Sequence, residues 1–165
     1  MEEIVKSTIP ALILAGALCA PTLAQNQTAP AEKPDTPAAE ERPSEEPDHI
    51  KVQHILIAFR GTLRGNKDVT RSMEEAKELA YQVLERAQQG EDFDALVKEY
   101  TNDQAPGIYA MANNGVTSAQ GEYARGTMVG AFGNVGFVLE VGEIGIADFS
   151  TATSPFGWHI IKRIE

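Results

Sequence analysis

Two histidines carry the first chemical signal in this chain. His54 lies in the apolar run Val52-Gln53-His54-Ile55-Leu56-Ile57, and His159 lies in Phe156-Gly157-Trp158-His159-Ile160-Ile161-Lys162. An imidazole changes charge near neutrality, and its two ring nitrogens can donate and accept at once. Two of them set into β-rich runs at opposite ends of a small domain point to a polar cluster inside one buried sheet. A lone histidine on an apolar strand is more often a satisfied core residue, so a purely structural role for the pair stays open. Thiol chemistry has little place. Cys19 is the only cysteine and sits in the apolar run Pro10–Ala20. Cleavage beyond it would leave no nucleophilic thiol, no disulfide and no zinc knuckle. Three histidines without a thiol are a sparse ligand set, so neither a metal nor another cofactor is expected.

The elements that must position these residues follow from local patterning. Ile50 to about Ala58 is nearly continuously apolar and β-branched, as in a strand buried on both faces. Phe59 to Arg71 is a polar loop. Ser72-Met73-Glu74-Glu75 forms a capping box, and apolar residues at 76, 79, 80, 83, 84 and 87 make a one-face helical stripe that stops at Gly90. Phe93, Leu96, Val97 and Tyr100 mark a second helix. Gly107–Ala112 reads as a short strand and Asn113–Arg125 as a loop. Met128, Phe132, Val135 and Leu139 suggest a third helix, although Gly130, Gly133 and Gly136 each weaken it by roughly 1 kcal/mol relative to alanine. Gly145–Ser150 and Gly157–Ile164 read as a closing hairpin. The order β-α-α-β-α-β-β predicts an α+β domain with a small, mostly antiparallel four-stranded sheet flanked by helices.

Upstream, residues 1–24 read as a signal peptide. The apolar run is short for a bilayer span, and Thr22-Leu23-Ala24 is small at both ends, as a leader-peptidase site requires. Glu2 and Glu3 outnumber Lys6 where a positive start is usual, so a retained anchor and a misplaced start codon are the alternatives. Residues 25–48 are rich in Pro, Ala and Glu and read as a disordered linker. Residues 49–165 form the single folded domain. The net charge of −10 argues against a nucleic-acid partner or an anionic membrane surface. Residues 25–49 carry seven acidic and two basic residues, so half of that acidity is in the linker.

Five segments, in order and at suitable distances, carry a resemblance. They are Val52-Gln53-His54-Ile55-Leu56, the helix start Arg71-Ser72-Met73-Glu74-Glu75-Ala76, and Asp92-Phe93-Asp94-Ala95-Leu96 running on to Asp103. Then come Arg125-Gly126-Thr127-Met128-Val129-Gly130-Ala131-Phe132 with Phe137, and finally Phe156 to Lys162. Together they resemble the parvulin-type peptidyl-prolyl cis–trans isomerases, whose fold belongs to the FKBP-like superfold, over Ile50 to Glu165.

The resemblance implies that His54 and His159 are the histidine pair at the base of an active site. It places Asp103 where the family has aspartate or cysteine, and Ser154 where a hydroxyl residue often joins the hydrogen-bonded cluster. Met128 and Phe132 would hold the substrate proline ring, with Phe137 behind them and Ile108 on the opposite wall. Without the resemblance, Met128 and Phe132 read as core, Asp103 as a helix-end aspartate and Ser154 as a turn residue. The reaction needs no covalent intermediate: an X–Pro bond rotates over roughly 18–20 kcal/mol through a twisted amide.

Two departures from the family stand out. Asn113–Ala124 is an insertion beside the groove, and the third helix lacks its usual acidic residues. The loop after strand one holds Arg60, Arg64, Lys67 and Arg71 against Asp68 alone. In phosphate-directed parvulins such a loop reads an acidic residue before proline, and a solvated basic loop is the plainer alternative. The expected function is X–Pro isomerisation in exported proteins, periplasmic or extracellular, with proline-containing clients and a monomeric chain that meets a membrane only through an uncleaved leader. The alternative is a non-catalytic chaperone module that holds extended segments in the same groove.

Overall fold

The computed structural model describes residues 46–65 and 68–165. The signal-peptide expectation, residues 25–45 of the linker, Cys19 and Lys67 lie outside the described residues. Residues 46–48 are tied to the domain: Asn113 donates to the Pro47 carbonyl at 3.0 Å and to Glu46 at 3.2 Å.

Strand β1 (His49–Ile57) is followed by α1 (Met73–Gln88) and α2 (Phe93–Tyr100), then by β2 (Ile108–Ala112) and β3 (Glu122–Ala124). A 3-10 turn at Arg125–Thr127 leads into α3 (Gly130–Val138), and β4 (Ile144–Ala147) and β5 (Trp158–Arg163) close the domain. The strands form one five-stranded sheet in the order β3-β2-β1-β5-β4. All pairs are antiparallel except β2 with β3, so the sheet is mixed and has one strand more than the sequence pattern suggests. The additional strand falls inside the segment read as a loop. It is three residues long, too short to show alternation, and it exists because β2 offers it a partner.

Strand alternation divides the side chains of the sheet into two sets. Ile55, Ile57, Trp158 and Ile160 pack with Ala76, Ala80, Val83, Phe93 and Leu96 of α1 and α2. Ile50, Val52, Met111 and Ile161 pack with Phe132 and Phe137 of α3. The first set explains why the α1 stripe has its spacing. Ser72 caps that helix through its side chain, and Glu75 returns the hydrogen bond to the Ser72 backbone at 2.7 Å.

Helix α3 starts at Gly130, two residues later than its apolar spacing suggests, because Met128 and its neighbour Val129 are not helical. Its glycines have a packing reason. A β-carbon on Gly136 would lie 3.2–3.4 Å from Ile50, Met111 and Val52, so a bare backbone lets α3 approach the sheet. That contact offsets the low helix propensity. No helix among the described residues is long and apolar enough to cross a membrane.

Candidate active site

The α3 face of the sheet carries the chemistry. β1 and β5 are paired with Leu56 opposite His159 and His54 opposite Ile161, which sets both imidazoles on the same face, next to each other. Their Nδ1 atoms are 3.2 Å apart and the rings lie 16° from parallel. Both residues are buried, at 3% and 4% exposure.

Asp103 reaches them from the chain that leaves α2. Asn102 donates its N–H to Leu56 O at 2.8 Å, and its Oδ1 accepts from Ala58 N at 2.9 Å. Thr101 Oγ1 accepts from Leu56 N at 3.1 Å. This docking along β1 delivers Asp103 Oδ2 to 3.1 Å from His54 Nε2. Tyr109 Oη donates to the same oxygen at 2.9 Å. The His54 hydrogen bond, helped by the Gln104 backbone N–H and by Tyr109, holds the Asp103 carboxyl well below the usual carboxylate range. Burial, together with the bond to Asp103, pushes the Tyr109 hydroxyl up to about 12.

The proton positions follow from these roles. A carboxylate only accepts, so His54 donates Nε2–H to Asp103. A neutral His54 then accepts at Nδ1 from Nδ1–H of His159. The far nitrogen of that ring, His159 Nε2, is buried without a hydrogen-bond partner among the described residues. Burial pushes the His159 imidazole down to about 3, and a charge on His54 would act in the same direction. A charge on this ring would be stranded away from water, which is why the neutral form is favoured.

Above this polar floor lies a cleft of about 290 Å³. Met128, Val129 and Phe132 form one wall and Tyr109 another, with Leu56, Leu63 and Phe156 completing the lining. The Phe132 ring meets His54 edge-on at 5.1 Å and His159 at 5.5 Å. The site therefore combines an apolar slot with a hydrogen-bonded chain from Tyr109 through Asp103 and His54 to His159. It can hold a small apolar ring beside a fixed negative charge.

The structure brings His54, Asp103, His159, Met128 and Phe132 together. Five other expected residues lie outside the cleft lining and its hydrogen-bonded chain. Ser154 is fully buried, and its hydroxyl donates to Gly157 O at 2.8 Å instead of joining the imidazoles. Phe137 is a core residue outside the cleft lining, with the Arg125 guanidinium 4.7 Å over its ring. Ile108 is no wall: it pairs opposite Gln53, so it points away from the histidine face, and it is 47% exposed. Arg60 and Arg64 are exposed and do not line the cleft. Arg71 is committed to Ala58 O at 3.0 Å and Asn102 Oδ1 at 2.8 Å, which removes it from any basic cluster. Tyr109, Leu63, Val129 and Phe156 are cleft residues that sequence reasoning missed. For Tyr109 the signal was alternation along β2, readable only once the register against β1 is known.

Residues 40–165 match the PPIC-type PPIASE domain, and the chain belongs to this family of parvulin-type peptidyl-prolyl isomerases. Among curated proteins it is 36% identical over 113 residues to the foldase protein PrsA of Caldanaerobacter subterraneus subsp. tengcongensis, covering 68% of this chain and 28% of that one. It is 32% identical over 118 residues to the chaperone SurA of Methylobacillus flagellatus, covering 72% of this chain and 22% of the relative. The chain thus spans less than a third of the length of these relatives. The solution structure of TbPIN1 has the same fold, with a TM-score of 0.54 at 22% identity over 72% of this chain and 98% of that one.

Proposed function

We propose that this chain catalyses cis–trans isomerisation of X–Pro bonds in polypeptide clients and so assists their folding. The observation that carries the reading is the apolar cleft of Met128, Val129 and Phe132 set directly over the Asp103–His54–His159 chain. The planar ground-state amide is polar and well hydrated. The twisted transition state has lost amide resonance, and its carbonyl carries less charge. Moving the amide into an apolar slot costs the ground state roughly 1–3 kcal/mol per lost hydrogen bond, and the less polar twisted form loses less. Each 1.36 kcal/mol gained in this way is a tenfold rate increase. Phe132 and Met128 grip the proline ring while the peptide on the other side of the bond rotates. Asp103 supplies a fixed negative field, and the histidines hold it in place.

The client class is extended polypeptide, in keeping with relatives named as a foldase and a chaperone. Action outside the cytoplasm is supported by the leader-like segment at residues 1–24. Mass spectrometry of the protein recovered from an exporting host tests this, because a mature start near Gln25 is expected and an intact Met1 would overturn it.

The activity is tested by following isomerisation of X–Pro peptides, with X as leucine, alanine, glutamate or phosphoserine. Acceleration that disappears in Asp103→Ala and Phe132→Leu is expected. A glutamate or phosphoserine preference lost in Arg60→Ala/Arg64→Ala would assign acidic-residue selection to that loop, and an unchanged preference would remove it. A folded protein that accelerates none of the peptides overturns the isomerase reading and leaves a holding module.

A further inference from the structure

We infer that Tyr123, carried by the insertion after β2, forms with Tyr109 a subsite for an aromatic side chain of the client, about three residues from the proline. The inference rests on reading the cleft as the X–Pro site and adds a second point of recognition to it.

The insertion does not lie across the groove. Its end folds as β3, which pairs in parallel with β2 so that Tyr123 is opposite Met111. Met111 and Tyr109 are two residues apart on β2 and share a face, so Tyr123 emerges on the cleft side of the sheet. Its ring lies 5.8 Å from that of Tyr109 at an angle of 53°. Tyr109 in turn lines the cleft and lies 5.9 Å from Phe132. The aromatic surface is therefore continuous from the proline slot to the sheet edge, and Tyr123 at its end is 51% exposed.

The surface is held rigid from beneath. The Tyr109 hydroxyl is fixed on Asp103 at 2.9 Å. Glu122, beside Tyr123, is within 3.1 Å of His49 Nδ1 through both oxygens and accepts from Ala119 N at 2.8 Å. At the other end of β3, Arg125 donates to Asn113 at 2.9 Å, to Glu46 at 2.6 Å and to Asn134 at 3.0 Å. Little ordering is left for the client to impose, and such preorganisation favours binding. Two ring-to-ring steps separate Phe132 from Tyr123. A proline-containing segment in the polyproline II conformation advances roughly 3.1 Å per residue with about three residues per turn, so the side chain about three positions from the proline returns to the same face and meets Tyr123. Tyrosine faces and edges favour an aromatic partner over an aliphatic one of equal size.

The test uses the full chain and X–Pro peptides bearing Phe or Ala three positions before or after the proline. Isomerisation kinetics are measured together with binding of labelled peptide by fluorescence anisotropy. In one of the two placements, kcat/KM for the Phe peptide should exceed that for the Ala peptide by about three- to tenfold, mainly through KM. Tyr123→Ala should bring that ratio to about one, and Tyr123→Phe should preserve it. Equal kinetics and binding for Phe and Ala peptides in the parent chain, or a preference that survives Tyr123→Ala, overturns the subsite. If no peptide is accelerated but Tyr123-dependent binding persists, the subsite stands and the isomerase reading falls.

Discussion

Acid should destabilise this domain through His159 before it protonates the carboxylates. The imidazole sits at about 3 in the folded protein against 6.5 for an unperturbed histidine. Between those values the unfolded chain binds the proton and the folded one does not, so stability is complete above pH 6.5 and declines as the pH falls through this window. The slope approaches 1.36 kcal/mol per pH unit. Worked through both equilibria, the loss between pH 7 and pH 5 is about 2 kcal/mol. Asp103, also lowered in the folded state, acts with the same sign, but only below its ordinary value of 3.8. Urea denaturation at the two pH values measures the loss, followed by fluorescence of Trp158, the single tryptophan, which is 4% exposed. His159→Asn is the control: its amide can donate to His54 Nδ1 but does not titrate. The variant should lose about 2 kcal/mol less than the parent between pH 7 and pH 5. Equal losses in parent and variant would refute the assignment of the effect to His159.

Three further outcomes follow from the placements described above. Ser154→Ala should lower stability by about 1 kcal/mol, the usual worth of one hydrogen bond, while peptide isomerisation stays within about twofold of the parent. A loss of rate as large as that of Asp103→Ala would put Ser154 back among the cluster residues. Gly157→Ala should lower the folded population severely, by more than about 3 kcal/mol, as read by urea titration. Its backbone has φ +142°, and a β-carbon there would collide with the Ile57 carbonyl oxygen. Arg125→Met should lower stability by roughly 3 kcal/mol, because it removes the cation paired with Glu46, a carboxylate at 11% side-chain exposure, and takes the same cation from the Phe137 face. Restoration of most of that loss by Glu46→Gln in the double variant would show that the ion pair is responsible.

Much of the fold was legible because it depends on neighbours in sequence. The α1 stripe, the Ser72–Glu75 box and the apolar runs around His54 and His159 are local patterns, and they set element types whatever the rest of the chain does. The candidate site was legible to the extent that its residues lie in family-like segments. What no local pattern contains is register. Tyr109 rather than Ile108 faces the histidines because Val52 pairs with Tyr109 and Gln53 with Ile108, and a slip of one residue would exchange them. Strand β3 was hidden for the same reason, since three residues become a strand only when β2 and the Glu122–His49 contact hold them. Ser154 and Arg71 show a finer limit. A hydroxyl or a guanidinium takes whichever acceptor the packed backbone offers, here Gly157 O and Ala58 O. By itself the sequence determined the domain's class, its helices and the residue types available for chemistry. The tertiary structure decided which of them share one face of the sheet, because that depends on pairings between segments far apart in the chain.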